Sequence, residues 1–224
     1  MWRALEGRLG RELARDIALV CLADGIVGLS FGAITVGSGL PLWLPVLMSV
    51  VVFAGASQFL FVGIVAAGGN PVAAVAAGLL VNSRHLPFGF AVADLLSGSR
   101  SRWLAGSHVM IDESVAFALA QRGTGRSRSA FWACGLALFV CWNLGVLLGA
   151  FGGSAVTDTA AFGLDAAFPA VLLALVLPSL RERETCRAAL AGAAIAVAAS
   201  PFLAAGLPVL LGLLGMLALK RGRP

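Results

Sequence analysis

Apolar residues in this chain neither alternate nor keep to one helical face; they run on. Eight such segments can be marked, at about residues 17 to 38, 40 to 66, 71 to 95, 103 to 121, 129 to 152, 162 to 180, 186 to 200 and 202 to 219, with short polar stretches between them. A helix that is hydrophobic all round belongs in a large core or in lipid, and crossing a bilayer takes roughly 20 such residues. The pattern therefore predicts an all-α, multipass membrane helical bundle with about seven to eight hydrophobic segments. Residues 1 to 16 differ. There Trp2, Leu5, Leu9 and Leu13 recur at helical spacing among arginines and acids, which predicts an amphipathic leader on the cytoplasmic membrane surface. Residues 17 to 219 then form a single transmembrane domain, and residues 220 to 224 a basic cytoplasmic tail.

Composition agrees with lipid as the main solvent. The 224 residues are 59% hydrophobic and 12% charged, against ~25% charged in soluble domains. The 28 glycines and nine prolines would spoil water-soluble helices, but neighbouring helices in a membrane re-satisfy the backbone groups they free. Broken helices are expected. A soluble enzyme, a disordered chain, collagen and a disulfide scaffold are excluded. Cys21, Cys134, Cys141 and Cys186 lie in or beside apolar runs without metal-ligand spacing and read as small core hydrophobes, so no metal and no cofactor are expected.

The net charge of +5 matters by position. Arg3, Arg8, Arg11 and Arg15 precede the first segment; Arg122, Arg126 and Arg128 follow the fourth; Arg181, Arg183 and Arg187 follow the sixth; Lys220, Arg221 and Arg223 come last. These are cytoplasmic edges by the positive-inside rule, not a nucleic-acid patch. If all eight segments cross, Arg100 and Arg102 alone fall on the wrong side; if segments three and four are half-membrane excursions from the cytoplasm, nothing does. Those two segments are the most polar, and at least one of them is expected to be broken or re-entrant. A weak internal repeat is also visible, Phe31-Gly32 before Leu40 to Pro45 echoing Phe151-Gly152 before Leu164 to Pro169.

Candidate chemistry gathers at four places. In segment two, Gly55 weakens the helix while Ser57 and Gln58 offer hydrogen bonds in a dry medium, either as a packing patch or as a break that holds a polar ligand. In segment three, Pro87 lacks an amide proton and clashes one turn back, so Asn82-Ser83-Arg84-His85 should sit at a helix break. A guanidinium at membrane depth costs at least ~2.5 kcal/mol, and Asp112 and Glu113 of segment four are the candidates to compensate it; the alternative is that Arg84 snorkels to an interface or is paired purely for structure. Adjacent helical positions point about 100° apart, so one acid can meet Arg84 while the other faces elsewhere. His108, four residues before Asp112, would share its face and could relay protons, or simply sit at the membrane edge. The stripes Asp24-Gly25 with Gly28 and Gly32, and Trp142-Asn143 with Gly145, Gly149 and Gly153, read first as close-packing faces. Asp165 suits a helix amino terminus. Zinc-hydrolase, P-loop and serine-hydrolase patterns are missing, so enzyme activity is not expected.

Taken in order, Ser49 to Phe59, Asn82 to Gly89, Asp112-Glu113-Ser114, Trp142 with Gly145 and Gly149, and Gly163 to Ala170 resemble the AzlC family, the large subunits of branched-chain amino-acid exporters, over roughly residues 20 to 180. The resemblance implies export of leucine, isoleucine, valine and methionine, with a small hydrophobic AzlD-type membrane subunit as partner. Carried onto matching positions, Gln58, Asn82, Arg84, His85, Asp112 and Glu113 are the family's polar residues at membrane depth. This chain departs from the pattern in having Ala23-Asp24-Gly25 where a Pro-bearing stretch is usual, and Pro87-Phe88-Gly89 where Leu-Tyr-Gly is usual; it contains no tyrosine.

The sequence thus predicts a secondary transporter subunit of the bacterial inner membrane, exporting branched-chain or related aliphatic amino acids with protons as the coupling ion. Gly55, Ser57, Gln58, Asn82, Arg84, His85 and Asn143 are the expected substrate-binding residues, and Asp112, Glu113 and His108 the proton-coupling ones. The alternatives are a channel or exporter for another small solute, and a structural membrane subunit whose polar residues merely hold helices together.

Overall fold

The structure is a computed structural model that describes residues 10–154, 177, 179–203 and 207–218. Every regular element among them is helical: α1 (Arg11–Gly37), α2 (Trp43–Val51), α3 (Gly55–Ala66), α4 (Pro71–Asn82), α5 (His85–Val92), α6 (Arg100–His108), α7 (Asp112–Ala120), α8 (Ser127–Ser154), α9 (Arg183–Ala199) and α10 (Leu207–Leu211), with 3-10 turns at Ala93–Leu96, Ser179–Arg181 and Gly212–Ala218. Residues 1 to 9 of the expected leader, most of segment six with Asp165, the second half of the repeat at 164 to 169, and the basic tail lie outside the described residues.

Among the described residues, α1 and α8 are long and apolar enough to cross a membrane. Their 27 and 28 residues extend about 40 Å at 1.5 Å per residue, more than the ~30 Å hydrocarbon layer. Helix α1 starts at Arg11, so residues 11 to 16 are the first turns of this helix rather than a separate surface element. Segments two, three and four are interrupted. Segment two is split into α2 and α3, segment three into α4 and α5, and segment four into α6 and α7.

Two compact units are formed, one from Met1–Gly55 and Asn82–Thr157, the other from Ala56–Val81 and Asp158–Pro224. The first is organised by α1 against α8. Along their contact Gly10 lies by Arg126, Gly25 by Cys141, Gly28 by Trp142 and Ala33 by Gly153. Numbering rises together on both helices, so they run parallel and start at the same end. That end carries Arg11 and Arg15 of α1 together with Arg122, Arg126 and Arg128 before or at the start of α8.

Both glycine stripes are packing faces. A methyl group added at Gly28 would lie 2.8 Å from the Trp142 carbonyl oxygen, and one at Gly153 would lie 2.7 Å from that of Ala33. At Gly32, Gly145 and Gly149 it would meet the backbone of Val146, Gly25 and Leu29. Lipid gives helices no hydrophobic reason to associate, so close backbone approach supplies the attraction. Cys21 and Cys134 are buried free thiols in α1 and α8, filling space as small apolar groups.

At the foot of α8 two arginines hold the corner that follows α5. Arg128 donates from Nε to the Leu95 carbonyl at 3.1 Å and from Nη2 to Ser97 Oγ at 2.7 Å. Arg122 donates to the Ala91 carbonyl. Beneath them Val92, Leu95, Leu96, Val109, Met110, Val115, Ala118 and Phe131 form one buried cluster. The basic cluster is therefore part of the fold as well as a charged edge.

In the second unit α3 and α4 meet through Ile64, Ala74 and Ala77, flanked by Leu60, Phe61 and Val65. Helix α9 lies against the 3-10 turn Gly212–Ala218, where Gly192, Gly212 and Gly215 again let backbones touch.

Gly145→Ala and Gly149→Ala should each lower the thermal stability of the purified protein, by the ~1–3 kcal/mol that overpacking costs. Gly152, where an added methyl meets nothing within 4 Å, is the control: Gly152→Ala should leave the melting temperature unchanged or raise it, since alanine is the better helix former by about 1 kcal/mol.

Candidate functional site

Two of the three helix breaks in the first unit are laid on one face of α8. The first, between α2 and α3, ends at Gly55, where a methyl group would stand 2.9 Å from the Trp142 ring. Gly55 is small because that buried indole lies against it; the ring also stacks on Phe31 at 6.1 Å. Between α6 and α7 runs the second break, at Val109–Ile111, and its Val109 carbonyl sits where a side chain on Gly135 would be, 2.8 Å from the added methyl. Gly135, Phe139 and Trp142 are at i, i+4 and i+7, one helical face. Phe139 joins the two breaks, with ring centroids 5.1 Å from Phe53 and 5.5 Å from His108.

Each break needs its backbone groups satisfied. Ser114, fully buried, does this for Val109–Ile111: its Oγ accepts from the Ile111 amide at 3.0 Å and lies 3.0 Å from the Val109 and Ile111 carbonyl oxygens, donating to one at a time. Ser49 of α2, beside the first break, makes a tie between helices instead, its hydroxyl 2.7 Å from Asn143 Oδ1, while Asn143 Nδ2 donates to the Phe139 carbonyl at 2.8 Å. Both ends of the Asn143 amide are thus engaged within the protein, fastening α2 to α8. Ser49 and Ser114 stand in stretches noted from the sequence, but neither had a role of its own there. A serine that closes a break looks like any small residue in an apolar run.

The third break, at Ser83–Arg84, separates α4 from α5. Pro87 is the third residue of α5, in the first turn where a missing amide proton costs nothing, so the helix stops before the proline rather than at it. Arg84 takes the position preceding α5, and Asp112 is the first residue of α7. Their side chains form an ion pair, Nη2 to Oδ2, at 2.9 Å, with 38% and 41% of the side chains exposed. Glu113, one step along, is within electrostatic reach of Asp24 on α1 as well as of Asp112 and Arg84. His85 Nδ1 donates to the Asn82 carbonyl at 2.9 Å, and its ring packs edge-on against Phe88. Two polar atoms here are buried without a hydrogen-bond partner, Asn82 Oδ1 and Arg84 Nε.

The structure therefore brings together Asn82, Arg84, His85, Asp112 and Glu113, and adds Asp24. It separates His108 from them in one respect: the shared helical face with Asp112 does not form, because the helix ends at His108 and restarts at Asp112. His108 instead packs between Phe53 and Phe139. Ser57 and Gln58 are buried on α3 in the second unit, with Ser57 facing Gly78 of α4.

Residues 19–156, more than half of the chain and containing Asp24, Arg84, Asp112, Glu113 and Asn143, match the family model of the AzlC protein. The chain belongs to the AzlC family. It is similar to the branched-chain amino acid transport protein AzlC of Bacillus subtilis (strain 168), 26% identical over 201 residues that cover 87% of this chain and 78% of that protein. It is also similar to an uncharacterized membrane protein of Helicobacter pylori (strain ATCC 700392 / 26695), 26% identical over 175 residues covering 77% and 76%. No solved structure matches it. AzlC membership and these relatives support a transport role at a membrane.

Removing the Ser114 hydroxyl should orphan the Ile111 amide: Ser114→Ala is expected to destabilise the protein by ~1–3 kcal/mol, the cost of an unsatisfied buried donor, read as a fall in melting temperature. Asn143→Ala should do the same through loss of the tie to Ser49.

Proposed function

We propose that this chain is the large subunit of a multipass secondary transporter of the bacterial inner membrane. In this reading it exports branched-chain or related aliphatic amino acids with protons as the coupling ion, beside a small AzlD-type membrane subunit. The observation that carries the reading is the Arg84–Asp112 pair set at the ends of two broken helices. Discontinuous helices with charged side chains at the break are the usual construction of membrane transport sites, where helix amino termini face anionic groups.

A zwitterionic substrate needs a cation for its carboxylate and an acceptor for its ammonium. Arg84 supplies the first, with its unpartnered Nε and the amides opening α5 beside it. Glu113 and Asp112 are the acceptors for the ammonium or the proton, and Asp24 adds a third carboxyl near Glu113. The name of the Bacillus relative supports branched-chain amino acids as the cargo. With Asn143 occupied by Ser49, the substrate contacts assigned to it pass to Asn82, whose Oδ1 has no partner.

Vesicles carrying Arg84→Ala or Asp112→Asn should lose leucine efflux by about tenfold or more, as expected for a lost charged hydrogen bond, while the protein still inserts normally. Undiminished efflux from both would overturn the assignment. A pair that only holds α5 to α7 would instead show itself as lowered stability with transport intact.

A further inference from the structure

We propose that Asp112 is an internal stand-in for the substrate's carboxylate, holding Arg84 while the site is empty and yielding it when a free α-carboxylate arrives. The inference rests on the transporter reading above and adds an order of events to it.

The geometry of the guanidinium is the starting point. Arginine presents Nε and Nη2 side by side as a fork that a carboxylate can grip with both oxygens. Asp112 grips one tine: Oδ2 is 2.9 Å from Nη2. The other tine, Nε, is buried and has no partner. Asp112 is fixed at the first position of α7 by its own backbone, which limits how it can approach Arg84. A dissolved carboxylate has no such tether and, once Asp112 lets go and the guanidinium turns to uncover Nε, can take both tines, so it is the better ligand for the same cation.

The exchange is also inexpensive. Half-exposed ion pairs contribute little to stability, and this pair is 38% and 41% exposed. In a segment that is otherwise apolar, the open side of two charged groups has to meet water or a polar partner, because charge against hydrocarbon is costly. A polar solute can therefore reach it. Once released, Asp112 keeps the favourable field of the α7 amino terminus, where an acid in the first turn is stabilised. Its charge then lies beside Glu113, on the side where the ammonium of the same substrate would be received.

The ligand class this selects is an aliphatic carboxylate, with or without an amino group. Binding should be measured calorimetrically on the full chain in nanodiscs, with three probes: leucine, 4-methylpentanoate, which lacks the ammonium, and leucinamide, which lacks the carboxylate. Asp112→Asn removes the competitor with the least change of shape, and Asp112→Ser keeps a side chain suited to starting α7. Either variant should bind 4-methylpentanoate about three- to fivefold more tightly than the natural chain, as loss of a half-exposed pair allows, with a smaller gain for leucine, whose ammonium loses one nearby carboxylate, and no gain for leucinamide. These tighter-binding variants are also the ones expected to fail in efflux. Unchanged or weaker binding of both carboxylates by both variants would overturn the stand-in role while leaving the transporter reading in place. A natural chain that binds none of the three probes would instead overturn the amino-acid reading itself.

Discussion

The contact between α1 and α8 is the constraint on which the first unit depends. Two helices that touch backbone to backbone admit no side chain larger than hydrogen at the crossing positions, so Gly28, Gly32, Gly145, Gly149 and Gly153 are set by the geometry. Because α8 is held on one side by α1, its remaining surface is a rigid platform. Gly135, Phe139 and Trp142 line one strip of it, and the chain's irregular stretches at Val52–Ala54 and Val109–Ile111 lie along that strip. Broken helices are tolerable in an apolar setting when they rest on something continuous.

Each of the three breaks has the same local problem, the free polar group. Ser114 closes one break and the Ser49–Asn143 tie steadies another. His85 takes up the Asn82 carbonyl at the third. At that third break the matching is incomplete, with Asn82 Oδ1 and Arg84 Nε left over. Native proteins leave few buried polar atoms without partners. Trp142 Nε1, beside the first break, is also without a partner, but only the two atoms at the third break flank an ion pair.

Much of this was legible in the sequence. The pairing of Arg84 with one neighbour of the Asp112-Glu113 doublet followed from the cost of a lone charge in an apolar run and from helical spacing. The glycine stripes could be read as packing faces because their period is that of a helix. Two things were not legible. His108 and Asp112 look like partners only if the helix continues between them, and it stops: Ser114 satisfies the interrupted backbone, a role that depends on three-dimensional distance and leaves no periodic trace. Asn143 looked available to a substrate because its partner, Ser49, is 94 positions away in an unremarkable apolar run. Long-range polar ties of this kind have no local signature.

The parallel course of α1 and α8 has a bearing on topology. On the proposed transporter reading, both helices leave the same side of the membrane, so the chain joining them must return an odd number of times. Three interrupted apolar segments fill that interval. All three traversing, or one alone, satisfies the parity; two does not. A single half-way excursion is thereby ruled out, and if Arg84's segment turns back before reaching the far side, one of its companions must turn back with it.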